Sequence, residues 1–291
     1  MDEIQVDEKI SFKPGHRSRA FFLIFDFIFL ILLMIIMVIP LVKVFVDSVD
    51  PTTYGVRLWP QEIVFDAYEQ VFSNSALYRP FVISVITTIT GTAFGLLITT
   101  LGGYVIIQKQ MPGHKFIVNF IFFTMLFSGG LIPAYLNIKN LGLMNNLIAV
   151  IIPCSLSAYN IILMKSFFET IPSTLYEAAA IDGCTPLLTF SKIVLPLSKP
   201  ALASIGLFIA VGLWNEYMHF ILYITNPKWQ NFQVKVRELI LNDGISGVSI
   251  TLSQEMLKST VVVVVVLPFL LIYPFLQKYF VKGVTIGSVK G

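Results

Sequence analysis

The chain has 291 residues, of which 56% are hydrophobic and only 13% charged, with a mean hydropathy of +0.80 and a formal net charge of +3. That is more apolar surface than a soluble core can hide, so lipid must solvate most of it, and with no basic block a nucleic-acid partner is excluded. Cys154 falls inside an apolar run and Cys184 in a loop, so neither a disulfide framework nor a cysteine-based metal site is implied.

A spanning helix needs about 20 apolar residues. Six windows qualify, Phe27–Val46, Phe81–Ile107, Phe116–Tyr135, Leu147–Phe168, Ala201–Ile224 and Val261–Val281. The expected fold class is therefore all-α, a polytopic membrane protein with six transmembrane helices over residues 21–282. A polar segment 1–20 precedes them and a tail 283–291 follows. The first window is as long as a full span and runs into VDSVDPTTYG rather than a small-residue cleavage site, as expected of a retained helix.

Orientation follows from Lys and Arg, which are retained on the cytoplasmic side. With the N-terminus inside, that side receives Lys9, Lys13, Arg17, Arg19, Lys109, Lys115, Lys165, Lys192, Lys199, Lys278, Lys282 and Lys290. The other receives Lys43, Arg57, Arg79, Lys139, Lys228, Lys235, Arg237 and Lys258. Both termini and the segment 165–199 are then cytoplasmic, and 225–260 is an external loop.

Between the first two spans, WPQEIVFDAYEQVF places Ile63, Val64, Tyr68, Val71 and Phe72 near a helical period, predicting a short interfacial helix. The second span is rich in Gly and Thr, including Gly91, Gly95, Gly102 and Gly103. These positions permit close backbone approach and interhelical hydrogen bonds in lipid. The valine run 261–266 reads as a lipid-facing or tightly packed wall.

Between the fourth and fifth spans, YEAAAIDGCTPLLTFSKIVLPLSKP is dense in helix punctuation. Pro172 suits a first helical position, and Thr174 with Glu177 has capping-box spacing. Gly183 suits the residue after a helix, where positive φ is needed, and Thr185–Pro186 repeats the start signal. Two short helices about a glycine turn are predicted, with little bulk over Ala178, Ala179 and Ala180. Alanine is also simply the best helix former and Glu177 a capping side chain, so the residues alone leave a purely structural reading open.

The order Glu177, Ala178, Ala179, Gly183, Ile193, Leu195, Pro196 resembles the EAA signature of inner-membrane permease subunits of ABC importers. LFSGGLIPAYLNIKNLGLMNN, IILMKSFFETIP, LPLSKPALASIGLF and GVTIGSVKG are similar to the carbohydrate-uptake branch, which includes the smaller maltose permease and related oligosaccharide permeases. The resemblance implies a type I ABC importer permease fold in a bacterial plasma membrane. It also implies a second related permease subunit, an ATPase dimer that binds the ATP and Mg, and an extracytoplasmic solute-binding protein. The loop would be the coupling helix, with Glu177 the charged contact to the ATPase, Ala178 and Ala179 the close-fitting face, and Asp182 and Gly183 at the bend. Gly287, Ser288, Val289 and Lys290 resemble a tail that reaches the ATPase interface; a frayed terminus is the other reading.

In the fifth span, GLWNEYMHF sets Gly212, Asn215, Glu216, His219 and Tyr223 at helical spacing, flanked by Trp214 and Tyr217. Amides, a carboxylate and aromatic faces suit sugar binding, so Asn160, Trp214, Asn215, Glu216, Tyr217 and His219 are candidates for a substrate path. Hydration or a helix-to-helix bond accounts for Glu216 equally well. No nucleotide-binding motif is found, no metal site is expected, and the chain reads as a non-catalytic subunit. The rival reading is a self-sufficient secondary transporter or channel using Glu216 and His219 as an ion or proton relay.

Overall fold

Apolar runs fold as helices in lipid because each backbone N–H and C=O must be satisfied within its own segment. The computed structural model describes residues 17–52, 57–241 and 254–288, with side chains at 21–52, 57–241, 254–268, 270–272 and 274. All regular elements among these residues are helical.

Three helices are individually long and apolar enough to cross a membrane, α1 (Arg17–Asp47), α3 (Ser75–Ile107) and α14 (Gln254–Ser288). Three bent pairs reach that length only together, giving up to six spans. They are α4 (His114–Leu126) with α5 (Leu131–Asn140), α6 (Ile148–Ser155) with α7 (Ala158–Phe168), and Pro186–Leu197 with α11 (Lys199–Trp214), bent by 117°, 45° and 82°.

Three expected spans are therefore corrected, Leu147–Phe168 among them, since α6 ends at Ser155 and α7 starts at Ala158. The window Phe116–Tyr135 is not one helix: it breaks at SGG, where Gly130 takes φ +84°. Nor is Ala201–Ile224, since α11 stops at Trp214 and the six-residue α12 (Met218–Tyr223) resumes after Tyr217. Hydropathy averages over a window and passes across a three-residue interruption.

The helix α3 is the central post, packed on α11, α7 and α6. A Cβ on Gly91 would stand 2.5 Å from Leu213 Cδ1, one on Gly95 2.6 Å from the Ser155 carbonyl oxygen, and one on Gly103 3.1 Å from Met164. The small residues thus set how near the neighbouring helices come. The threonines behave differently from expectation. Thr87, Thr90 and Thr100 donate to carbonyls four residues back in their own helix, at 2.8, 2.7 and 2.8 Å, because that acceptor is always within reach.

The short predicted helix is α2 (Asp66–Ser73), which packs Ala67 and Val71 inward while Ile63 and Phe72 remain exposed. One cluster of Val71, Leu77, Phe232, Leu239, Leu257, Val261 and Val264 joins α2 and α13 (Phe232–Leu241) to α3 and α14. Val261, Val263 and Val264 are buried, so the valine run is the packed wall of the two readings. The apolar stretch of α1 from Phe21 is 0% buried in this chain. Among the described residues its C-terminal end is what is anchored: the Thr260 hydroxyl donates to the Ser48 carbonyl at 3.1 Å, and the Ser48 and Tyr68 hydroxyls meet at 2.8 Å.

Candidate functional site

The punctuated segment folds about Gly183. The helix α8 (Ser173–Ile181) starts after Pro172, whose ψ of 133° is extended. Proline is therefore the cap rather than the first helical residue, and Thr174 lies inside the helix. The capping box expected of Thr174 and Glu177 does not form, and no side chain caps this end. The other end follows the expected pattern. Gly183 has φ +72°, its N–H donates to the Ala180 carbonyl at 3.1 Å, and the Cys184 N–H donates to Ala179 at 2.9 Å. This paired closure satisfies two otherwise orphaned carbonyls and turns the chain sharply.

Thr185 then caps α9 (Pro186–Thr189), its hydroxyl accepting from the Leu188 N–H at 3.3 Å. A π-turn, Phe190–Val194, and α10 (Leu195–Leu197) complete the second arm. Glu177, Ala178, Asp182, Gly183 and Pro196 face outward; Ile193 and Leu195 are half-buried. Ala179 is corrected: it is only 3% exposed and packs within the chain, so Ala178 and Ala180 form the bare outer surface. Ile181, 86% exposed, and Leu187, 70% exposed, flank the turn as apolar knobs. They were missed in the sequence, where isolated apolar residues beside a turn look unremarkable.

The underside of this segment is fixed to the spans. Phe190 and Val194 join Met164, Phe168, Ala201, Ile205, Ile209 and Leu213 in one cluster with Tyr104 of α3. The Tyr104 hydroxyl donates to the Pro186 carbonyl at 2.9 Å, and its ring lies 5.0 Å from Phe190. Tyr176 of α8 donates to the Phe168 carbonyl of α7 at 3.4 Å. Burial, with a smaller contribution from Tyr104, pushes the Tyr176 phenol up to about 12, so it remains a neutral donor. Side chains thus tie α8 to α7 through Tyr176 and the second arm to α3 through Tyr104.

The substrate-path candidates do not form one stripe, because the helix breaks among them. Asn215 caps α11 and donates through Nδ2 to the Val211 carbonyl at 3.0 Å. Glu216 lies in the break, where Asn231 Nδ2 donates to its carbonyl and its own Oε1 accepts the His219 N–H at 3.0 Å. Side chains thus replace the helical bonds that the break removes. Trp214 is buried, with its indole N–H on the Val265 carbonyl at 3.1 Å. Asn160 is buried beside Ser157, and Tyr217 lies under the Arg237 guanidinium at 4.5 Å. A cavity of about 370 Å³ between α3, α11 and α14 is lined by Thr88, Leu96, Leu202, Gly206, Ala210, Trp214 and Pro268, among others; of the candidates it touches only Trp214.

A grouping that the sequence did not suggest lies where two breaks meet. Cys154 Sγ, on α6, is 3.5 Å from Glu216 Oε2, and His219 Nδ1 is 3.0 Å from Glu216 Oε1. Cys154 and Glu216 are 62 positions apart, beyond any local pattern. In the tail, Gly287 and Ser288 end α14, while Val289 and Lys290 lie outside the described residues.

Comparison with known proteins gives a consistent result. Residues 115–286 match the family described as binding-protein-dependent transport system inner membrane component. The chain is 39% identical over 274 residues to the polygalacturonan/rhamnogalacturonan transport system permease protein YtcP of Bacillus subtilis, covering 90% of this chain and 96% of that one. It is 30% identical over 272 residues to the trehalose/maltose transport system permease protein MalG of Thermococcus litoralis, covering 90% and 94%. A chain of the crystal structure of a bacterial ABC transporter that imports the acidic polysaccharide alginate superposes with a TM-score of 0.85 at 29% identity, covering 91% and 98%.

Proposed function

The chain belongs to the family of binding-protein-dependent transport system inner membrane components, and from that premise we propose that it forms half of the transmembrane path of an ATP-driven carbohydrate importer. It is a non-catalytic permease subunit, and its relatives named for polygalacturonan, trehalose and arabinooligosaccharides support an oligosaccharide as cargo. Its partners are a second related permease subunit, an ATPase dimer on the cytoplasmic side and an extracytoplasmic solute-binding protein. Six spans, counting each bent pair as one, would put both termini on the same side, and the Lys and Arg bias supports the cytoplasmic one.

The observation that carries the coupling role is the outward face of α8, with exposed Glu177 and Ala178 at a sharp Gly183 turn whose underside is bonded to Tyr104. Closure of the ATPase dimer around ATP would press on that face, and Tyr104 and Tyr176 would pass the movement to α3 and α7. Glu177 supplies a charge-assisted contact, Ala178 and Ala180 a close approach, and Ile181 and Leu187 apolar knobs. Gly287, Ser288, Val289 and Lys290 extend the same side toward the ATPase. Asn160, Trp214, Asn215, Glu216, Tyr217 and His219 remain proposed for the path, with Asn215 the exposed member at the break and Glu216, Tyr217 and His219 half-buried.

The test is the reconstituted complex in vesicles. Removing Glu177 deletes a contact worth about 1.5–3 kcal/mol, so Glu177→Ala weakens ATPase docking roughly 10- to 100-fold while the permease pair still assembles. Normal ATP-driven uptake by the double variant Glu177→Ala, Gly183→Arg would overturn the proposal. A ligand screen of the co-purifying binding protein with neutral and acidic oligosaccharides, read as stimulated ATP hydrolysis, identifies the cargo.

A further inference from the structure

Cys154, Glu216 and His219 are three different metal-ligating side chains, and their donor atoms all lie within 4.8 Å of one another. They come from the two helix breaks that pack together: Cys154 from the last turn of α6, Glu216 from the gap after α11, and His219 from the first turn of α12. We propose that these three residues form a binding site for a thiophilic divalent cation of the zinc class, which locks the two breaks together when it binds.

The donor set selects the ion. One thiolate, one imidazole and one carboxylate suit zinc, whereas magnesium and calcium need several oxygens. With zinc bonds of about 2.0–2.3 Å, tetrahedral donors stand about 3.3–3.7 Å apart. The Sγ–Oε2 and Nδ1–Oε1 separations are 3.5 and 3.0 Å, so small side-chain rotations admit an ion. Three protein ligands leave a fourth position for water.

Charge and surroundings agree with this assignment. On binding, the Cys154 thiol releases its proton to water; the thiolate and the Glu216 carboxylate then balance the two positive charges, with His219 neutral. A net-neutral centre is what a low-dielectric position tolerates. Glu216 is already oriented by the His219 N–H on Oε1 and by Asn231 on its carbonyl. His219 Nδ1 is a buried polar atom that makes no well-aligned hydrogen bond, although it lies 3.0 Å from Glu216 Oε1. An ion there would replace that poorly aligned contact with Glu216, and the pre-set carboxylate makes the site more than a chance meeting of side chains.

A bound ion joins α6, beside its break with α7, to α12 and the break after α11. If these units move during transport, which rests on the proposed permease function, micromolar zinc arrests uptake. Binding itself is measured without transport.

Cobalt(II) serves as the probe, added to the purified full complex in detergent. The expected result is a thiolate-to-cobalt charge-transfer band, lost in Cys154→Ser and retained in Cys184→Ser. His219→Ala should weaken cobalt binding by at least about 10-fold, the scale on which even an outer-shell partner acts. A wild-type complex without the band, a band lost in Cys184→Ser instead, or His219→Ala binding cobalt as tightly as wild type would each overturn the site. If Cys154→Ser does not fold, protection of wild-type Cys154 from alkylation by zinc, and not by magnesium, decides; equal rates with and without zinc reject it.

Discussion

At Gly183 the backbone adopts φ +72°, yet a Cβ built there meets nothing within 4 Å. Conformation rather than space therefore demands glycine, and a β-branched residue pays the left-handed penalty in full. Gly183→Asn should be tolerated, while Gly183→Val should lower stability by about 1–2 kcal/mol; thermal unfolding in detergent ranks the two. Asp50 makes a second prediction at this scale. Its carboxylate accepts from the Thr52 hydroxyl at 2.5 Å, the Gln61 N–H at 2.8 Å and the Thr52 N–H at 2.9 Å, which hold it below its usual value of 3.8. A depressed folded value means that Asp50 contributes stability above about pH 4, lost as the pH falls through the folded value. Melting temperature measured from about pH 5 downward should fall less steeply in Asp50→Asn than in wild type.

Among the elements, α3 carries two distinguishable constraints. The close neighbour of Gly95 is a backbone carbonyl, 2.6 Å from the built Cβ, whereas at Gly91 it is the movable end of Leu213, and at Gly212 there is none. Alanine should therefore be worst at 95, intermediate at 91 and nearly neutral at 212, with about 1–3 kcal/mol at the first, read from unfolding in mixed detergent. The second constraint is Tyr104, whose hydroxyl reaches 82 positions to the Pro186 carbonyl. Tyr104→Phe keeps the ring against Phe190 and removes one hydrogen bond, while the Phe190 N–H still reaches that carbonyl, a cost of about 0.5–1.5 kcal/mol. The expected phenotype is retained ATP hydrolysis with reduced uptake per ATP; an unchanged ratio would show that coupling does not pass through this bond. Capping and turn chemistry made Gly183, Thr185 and Pro186 legible in advance because each acts on its immediate neighbours. The failed capping box has the same origin: Pro172 imposed its own backbone geometry one turn before Glu177.

For the whole molecule, the decisive feature is how much of it is left uncovered. Among the described residues the apolar face of α1 finds no cover, and its end is held by Ser48, Tyr68 and Thr260. Lipid or a second permease subunit must cover it, so expression with that subunit should raise the yield of monodisperse complex relative to the chain alone; equal yields would mean that lipid suffices.

Composition and the length of the apolar runs by themselves determined a helical membrane protein, and the cap and turn residues a glycine-turned segment, because those signals are local and act through backbone geometry and solvation; the permease family was implied by the resemblance that the EAA spacing carries. Only the tertiary structure decided that the expected third, fourth and fifth spans are broken, that Ala179 faces inward, and that Cys154 meets Glu216 and His219. The physical reason is that each depends on groups far apart in sequence: the break at Glu216, for example, has its freed carbonyl satisfied by Asn231. No window of neighbouring residues contains that partner.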